Sequence, residues 1–170
     1  MRGYIQVYTG NGKGKTTAAL GLALRAAGAG FLVFIGQFLK AASSSEHKAL
    51  SRFRDLIIIK AYGREGLLKE INSIDIKLAK EGLKDCKKAI LSEKYKLVIL
   101  DEANVAVHFN LFSIEELLEV ILNKPPSLEL VITGRHAHKK LIEIADLVTE
   151  MKEIKHYYQK GVLARKGIEY

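Results

Sequence analysis

Gly10-Asn11-Gly12-Lys13-Gly14-Lys15-Thr16-Thr17 forms a glycine-rich loop between an apolar run, Ile5 to Tyr8, and an alanine-rich stretch of helical character. Residues of these types at this spacing handle phosphate. Glycines let backbone amides converge on a polyphosphate, Lys15 neutralises its charge, the Thr16 hydroxyl can ligate Mg²⁺, and the following helix points its positive end at the phosphates. The usual pattern begins with a glycine where this chain has Thr9, so the match departs at its first letter. A glycine-rich turn capping an ordinary helix is the plainer alternative, but the strand-loop-helix context is the one the phosphate motif requires. Nucleoside triphosphate is the expected ligand, with Gly10 through Thr17 as its candidate contacts.

Lys96-Leu97-Val98-Ile99-Leu100-Asp101-Glu102 is an apolar strand ending in two carboxylates, the form of a Walker B element that holds Mg²⁺ beside a triphosphate. Thr16, Asp101 and Glu102 are the candidate metal ligands, the acids acting directly or through water. In a P-loop ATPase or small-molecule kinase one of these acids would also orient the attacking water or acceptor, and that is the alternative function. Ile132-Thr133-Gly134-Arg135 sets an arginine just past another strand, at the edge where open α/β sheets bind ligands, so Arg135 is a candidate phosphate clamp. Gln37-Phe38-Leu39-Lys40 follows an earlier strand in the same way. Of the five histidines only His136 and His138 are close, at a spacing that does not suit a shared metal on a helix. No Gly-x-Ser-x-Gly elbow accompanies them.

Elements must hold these groups together. Apolar, β-branched runs recur at Ile5-Tyr8, Phe31-Ile35, Leu56-Ile59, Leu97-Leu100, Leu130-Ile132 and Leu147-Val148, with helical patterns between most of them, which predicts an α/β fold with a mostly parallel sheet flanked by helices on both faces. A helix from about Lys15 to Ala27 should stop at Gly28 as its cap. A later helix should bury Ile76, Ala79, Leu83, Cys86 and Ile90, and Ser113-Ile114-Glu115-Glu116 reads as a capping box before a helix that ends ahead of Pro125-Pro126. Residues 61–73 and 152–170 are the least regular and the expected home of substrate specificity.

The chain has 170 residues and is 48% hydrophobic, which suits one well-buried domain spanning 1–170. It contains no run of roughly 18 to 20 apolar residues and no signal-peptide pattern, so a cytoplasmic protein without membrane contact is expected. Cys86 is the single cysteine and sits at an apolar helical position, which argues against disulfide or zinc chemistry. The net charge of +8 is spread among acids instead of being gathered into a run, which fits attraction of small anions better than nucleic-acid binding.

With the phosphate loop, the Gln-Phe element, the Asp-Glu pair, the Thr-Gly-Arg element and a basic tail in this order, the chain resembles the cobalamin adenosyltransferases of the corrinoid ATP:cob(I)alamin family over nearly its whole length. The most specific parts are Thr9 to Thr17, where that family also lacks the first glycine, and the tail segments Ala145 to Met151, His156-Tyr157-Tyr158-Gln159-Lys160-Gly161 and Ala164 to Tyr170. The resemblance implies a RecA-like P-loop NTPase fold and a homodimer. It also implies transfer of the 5′-deoxyadenosyl group of ATP to the Co(I) of a reduced corrinoid, with release of triphosphate. The corrinoid would be cobalamin, cobinamide or cobyrinic acid a,c-diamide, with Mg²⁺, or Mn²⁺ in its place, as the ion and a flavoprotein as transient reductant. Carried onto this chain, Asn11 to Thr17 bind triphosphate, and Thr16 and Glu102 hold the metal. Lys15, Thr16, Glu102 and Arg135 carry the catalysis, Arg25 is a nucleoside contact, and the segment from His156 onward closes the site. The chain departs from the family where Gly-Phe-Thr-Trp-like aromatics are common: it reads Tyr62-Gly63-Arg64-Glu65-Gly66-Leu67-Leu68-Lys69-Glu70 and has no tryptophan. Leu67 or Leu68 is the expected apolar wedge there. Tyr157 also replaces a common proline, and Ala41 a common glycine.

Overall fold

The computed structural model describes residues 2–65 and 70–169. Its elements are β1 (Ile5–Thr9), α1 (Lys15–Gly28), β2 (Val33–Phe38), α2 (Ser45–Leu50), β3 (Ile57–Tyr62), α3 (Ser73–Leu91), β4 (Leu97–Asp101), α4 (Ala103–His108), α5 (Ile114–Leu122), β5 (Glu129–Thr133), α6 (Lys139–Ile144) and β6 (Leu147–Glu150). The six strands form one sheet in the order β3-β2-β4-β5-β1-β6, and every pairing is parallel. The sheet is α/β in class, with strands where the apolar runs predicted them. No described helix is long and apolar enough to cross a membrane.

Parallel neighbours need crossover connections, and the helices that supply them cover both faces. Strands β2 and β4 are consequently buried at every position. On one face α1 lays Ala19, Ala23 and Ala27 against Val33, Ile35, Ile99 and Val131. Alanines at this spacing bring the helix close to the sheet, which fixes its N-terminus under the phosphate loop. The other face packs Val7, Phe34, Phe38, Leu100 and Ile132 against α3 through α6. Strand β5 lies between the phosphate-loop strand β1 and the acidic strand β4, so their C-terminal ends open onto one edge.

Three local expectations shift for physical reasons. The glycine that ends α1 is Gly30, not Gly28: Gly30 has φ 79, its N–H donates to Ala27 O at 2.9 Å, and Phe31 N–H reaches Ala26 O at 3.0 Å. That paired bonding is the left-handed glycine cap, and Gly28 stays helical. In α3 the side chain facing inward in the first turn is Asp75, while Ile76 is exposed. Burial of that carboxylate is compensated by two 2.7 Å bonds from Arg64 and by the capping box with Asn72. Strand β2 extends to Phe38 through Gly36 and Gln37, past the apolar run Phe31-Ile35 that predicted it. Gly36 is there because a Cβ would come within 2.5 Å of Cys86 Sγ.

Phe38 packs edge-on against Phe112 (centroids 5.3 Å) and beside Tyr62 (5.9 Å), so the C-terminal end of β2 is pinned where the site begins. Gly82 of α3 lets this cluster form. A Cβ there would lie 2.6 Å from Tyr62 Cγ and 2.9 Å from Phe38 Cε1. Gly82→Ala should therefore destabilise the fold by about 1–3 kcal/mol, readable as a lower urea midpoint with an unchanged m-value. A midpoint at or above wild type would show that the aromatic cluster yields freely.

Candidate active site

The loop after β1 owes its glycines to two demands. Gly10 and Gly14 adopt φ 94 and 120, which only glycine takes readily. Gly12 lies so close to the chain leaving β6 that a Cβ would meet Met151 O at 2.7 Å, and its N–H donates to that oxygen at 2.7 Å. Helix α1 starts at Gly14 without a side-chain cap, so the first amides of the helix face the cleft. Lys15 folds back over the loop, donating to Gly10 O at 2.8 Å and Gly12 O at 2.7 Å. Burial pulls its ammonium below the usual lysine range, with Arg135 adding to the effect against the charges of Glu102 and Asp101. The opposite charge of an anion in the cleft would offset that penalty.

Asp101 is the hub of the site. Fully buried at the end of β4, its Oδ1 accepts from Thr16 Oγ1 at 2.9 Å and Thr133 Oγ1 at 2.6 Å, and its Oδ2 from Gln37 Nε2 at 2.9 Å and Lys40 Nζ at 3.0 Å. Four donors fill the acceptor sites of a carboxylate. Gln37 is oriented in turn by His47, whose Nε2 donates to Gln37 Oε1 at 2.6 Å. Burial lowers the imidazole's proton affinity, which suits the neutral Nε2–H form. Thr133 also accepts from the backbone N–H of Glu102 at 3.0 Å, tying the ends of β4 and β5 together.

Glu102 follows in a left-handed conformation (φ 61), an uncommon one for a side-chain-bearing residue, and caps α4. The turn puts its carboxylate into the cleft instead of the sheet. Burial first, and the charge of Asp101 second, raise its pKa, while Lys40, Lys15 and Arg135 oppose the rise. Lys40 comes from the end of β2, where Leu39 also has positive φ (59). Burial, the largest influence, pulls the Lys40 ammonium down, but the charges of Asp101 and Glu102 and the hydrogen bond to Asp101 raise it overall.

These groups surround a cleft of about 760 Å³, within the range of small-molecule sites. Gly12 to Thr17, Glu102 and Arg135 all line it, as do Lys40 and Glu46, while Leu20, Gly21 and Leu24 of α1 extend one wall. Arg25 is not among the lining residues; it is exposed on α1, and its charge is felt by Tyr8. The oxygen donors suit a hard cation. The Thr16 hydroxyl and the Glu102 carboxylate face the loop, whereas Asp101 would have to release one of its four partners to ligate directly.

The tail reaches the loop. His156, Gly167, Ile168 and Glu169 complete the rim, and Lys13 Nζ donates to Glu169 Oε1 at 2.8 Å, to Ile168 O at 3.0 Å and to Tyr157 Oη at 3.1 Å. Glu169 also accepts from Tyr157 and from Arg165, whose guanidinium lies 5.0 Å from the Tyr157 ring centre. Arg165, Lys13 and Tyr157 hold the Glu169 carboxyl well below the usual carboxylate range. Because the folded value is depressed, this contact is complete above the ordinary glutamate value of about 4.3 and weakens only as pH falls through the lowered one. Glu169→Gln should free the segment at any higher pH, and trypsin at pH 8 should then cut after Arg165 several-fold faster. Unchanged cleavage would mean that other contacts hold the tail. Leu67, Leu68 and Tyr170 lie outside the described residues.

Sequence reasoning missed the roles of Gln37 and Thr133 as donors to Asp101 and the pairing of Lys13 with Glu169. Only their places after strands and in the tail hinted at them.

Residues 1–170 match the model of the family described as ATP:corrinoid adenosyltransferase BtuR/CobO/CobP. The chain is 37% identical to a corrinoid adenosyltransferase of Pseudomonas aeruginosa, over 99% of this chain and 84% of that protein. It is 35% identical to one from Escherichia coli K12, over 99% of this chain and 86% of that protein. It is 33% identical to the corrinoid adenosyltransferase CobA of Salmonella typhimurium, with the same coverage of 99% and 86%.

Proposed function

The chain belongs to the ATP:corrinoid adenosyltransferase family, and on that premise we propose that its cleft transfers the 5′-deoxyadenosyl group of ATP to the Co(I) of a reduced corrinoid. The observation that carries this reading is the convergence of Lys15, Thr16, Glu102 and Arg135 on one cleft at the C-terminal edge of the sheet. The electron pair of Co(I) forms the new bond to C5′, the C5′–O bond breaks, and its electrons leave with the whole triphosphate. Negative charge therefore grows on the leaving group, and cations fixed around it are the means of lowering the barrier.

Lys15 and the first amides of α1 hold the triphosphate, and Arg135, exposed on the β5–α6 loop, closes over it. Thr16 and Glu102 would hold Mg²⁺, which when bound supplies further neutralisation of the triphosphate. Asp101 keeps the Thr16 hydroxyl in place through their 2.9 Å bond. The nucleophile is the substrate's cobalt, so these residues bind and neutralise without having to abstract a proton. The rim formed by His156 and Gly167 to Glu169 shields the centre from water. A homodimer and a transient flavoprotein reductant belong to the same reading, and sedimentation equilibrium checks the first.

The test is anaerobic incubation with ATP, Mg²⁺ and chemically reduced cobalamin, followed by the absorbance of adenosylcobalamin and by chromatography of the phosphates. Triphosphate formed in step with adenosylcobalamin is the expected result. ADP and phosphate formed without corrinoid would replace this reading with that of an ATPase.

A further inference from the structure

Beside Thr16, one of the two residues assigned to the divalent ion, and against Asp101, the chain places a cation of its own. Lys40 Nζ donates to Thr16 Oγ1 at 3.1 Å and to Asp101 Oδ2 at 3.0 Å, and stands 3.9 Å from the Glu46 carboxylate. The placement is built. Leu39 holds a left-handed turn (φ 59) immediately before it, and Gly63 fits under that turn so tightly that a Cβ would lie 2.4 Å from the Lys40 N. The aromatic packing of Phe38 fixes the strand end from which the turn departs. Strain of this kind persists only where the surroundings enforce it, and here it aims one side chain at one carboxylate.

The geometry points to Lys40 as the resident cation of the divalent-metal position, displaced into the cleft when Mg²⁺ arrives with the triphosphate. This inference rests on the assignment of Thr16 and Glu102 to the metal made above. A lysine suits the role because its ammonium is a compact charge on a flexible stem, able to leave without a change of backbone. While the cleft holds no nucleotide, the ammonium keeps the buried Asp101 from standing uncompensated. Free metal must then compete with a tethered charge. Metal that comes with a triphosphate brings anionic oxygens to receive the displaced Lys40, which already lines the cleft with Lys15 and Arg135. Lys40 thereby couples metal entry to nucleotide entry and then adds a charge to the set that stabilises the leaving group.

The apparent affinity of a site open only a fraction of the time falls by that fraction, so an ammonium that vacates one time in ten weakens free-metal binding about tenfold. Mn²⁺ binding to the full chain without nucleotide, read from the electron paramagnetic resonance of the free ion, tests this. Lys40→Met should tighten Mn²⁺ binding about tenfold or more. Lys48→Met, which removes the same charge from an exposed position on α2, should change it less than about twofold. With ATP present, the gap between wild type and Lys40→Met should narrow. Equal affinity in wild type and Lys40→Met, weaker binding in the variant, or an equal gain in Lys48→Met would overturn the inference. Lys40→Gln, which can still donate to Asp101, serves as the second variant should the methionine disturb folding. Glu102→Gln separates the two readings. If it weakens Mn²⁺ binding while Lys40→Met changes nothing, only the role of Lys40 falls. If it has no effect in any background, the metal assignment falls and the inference with it.

Discussion

Lys15→Ala should lower kcat/KM for adenosyl transfer by at least about a hundredfold while leaving the protein folded. On the proposed reading the activity loss follows from what the lysine would face: a leaving group that departs with its full charge, in a cleft where burial strengthens every electrostatic contact. The small effect on stability follows from opposing contributions. The lysine's bonds to Gly10 and Gly12 are worth about 1 kcal/mol each, but its ammonium is desolvated, and alanine removes that penalty along with the bonds. Steady-state kinetics on reduced cobalamin beside a thermal melt would show the two apart. Near-normal turnover would remove the phosphate loop from the reaction. A collapsed melting curve would instead show that the lysine's chief task is to hold the loop.

The phosphate loop, the acidic strand end and the six strands are legible in the sequence because each is a local pattern. Gly10 to Thr17 reads directly, and Leu97 to Asp101 is an apolar run closed by acids. The rest of the site depends on pairings across the sheet, to which local periodicity is blind. Gln37 lies past the apolar run that marks β2, yet it is strand: the register of β2 with β4 sets it opposite Asp101, which satisfies its amide in a fully buried place. Thr133 becomes a donor to Asp101 only because β4 and β5 end together. Asp75 faces inward where the apolar helical face is expected to bury Ile76, because Arg64 neutralises it. The tail behaves likewise. Its basic character is visible, but the pairing of Lys13 with Glu169 spans nearly the whole chain.

Asp101→Ala should be the most damaging substitution to both stability and function, lowering the free energy of unfolding by about 3–5 kcal/mol. Gln37 and Thr133 are fully buried, and each would lose its carboxylate partner, at about 1–3 kcal/mol for an unsatisfied buried group. Lys40 contributes less, because its side chain is 28% exposed and Glu46 stands within 3.9 Å to take the ammonium. The effect on turnover has a separate origin. Without Asp101 the Thr16 hydroxyl loses the acceptor that orients it, and the cation position beside it loses its charge. Thr133→Val apportions the two effects, since it removes one donor to Asp101 and the acceptor of the Glu102 N–H but leaves the carboxylate, Thr16 and Lys40 in place. It should cost stability in urea by about 1–2 kcal/mol and turnover far less than Asp101→Ala does. If Asp101→Ala unfolds at the wild-type urea concentration, the carboxylate is not what ties the ends of β2, β4 and β5 to α1. If the two variants lose turnover equally, the orientation of Thr16 is not what Asp101 supplies.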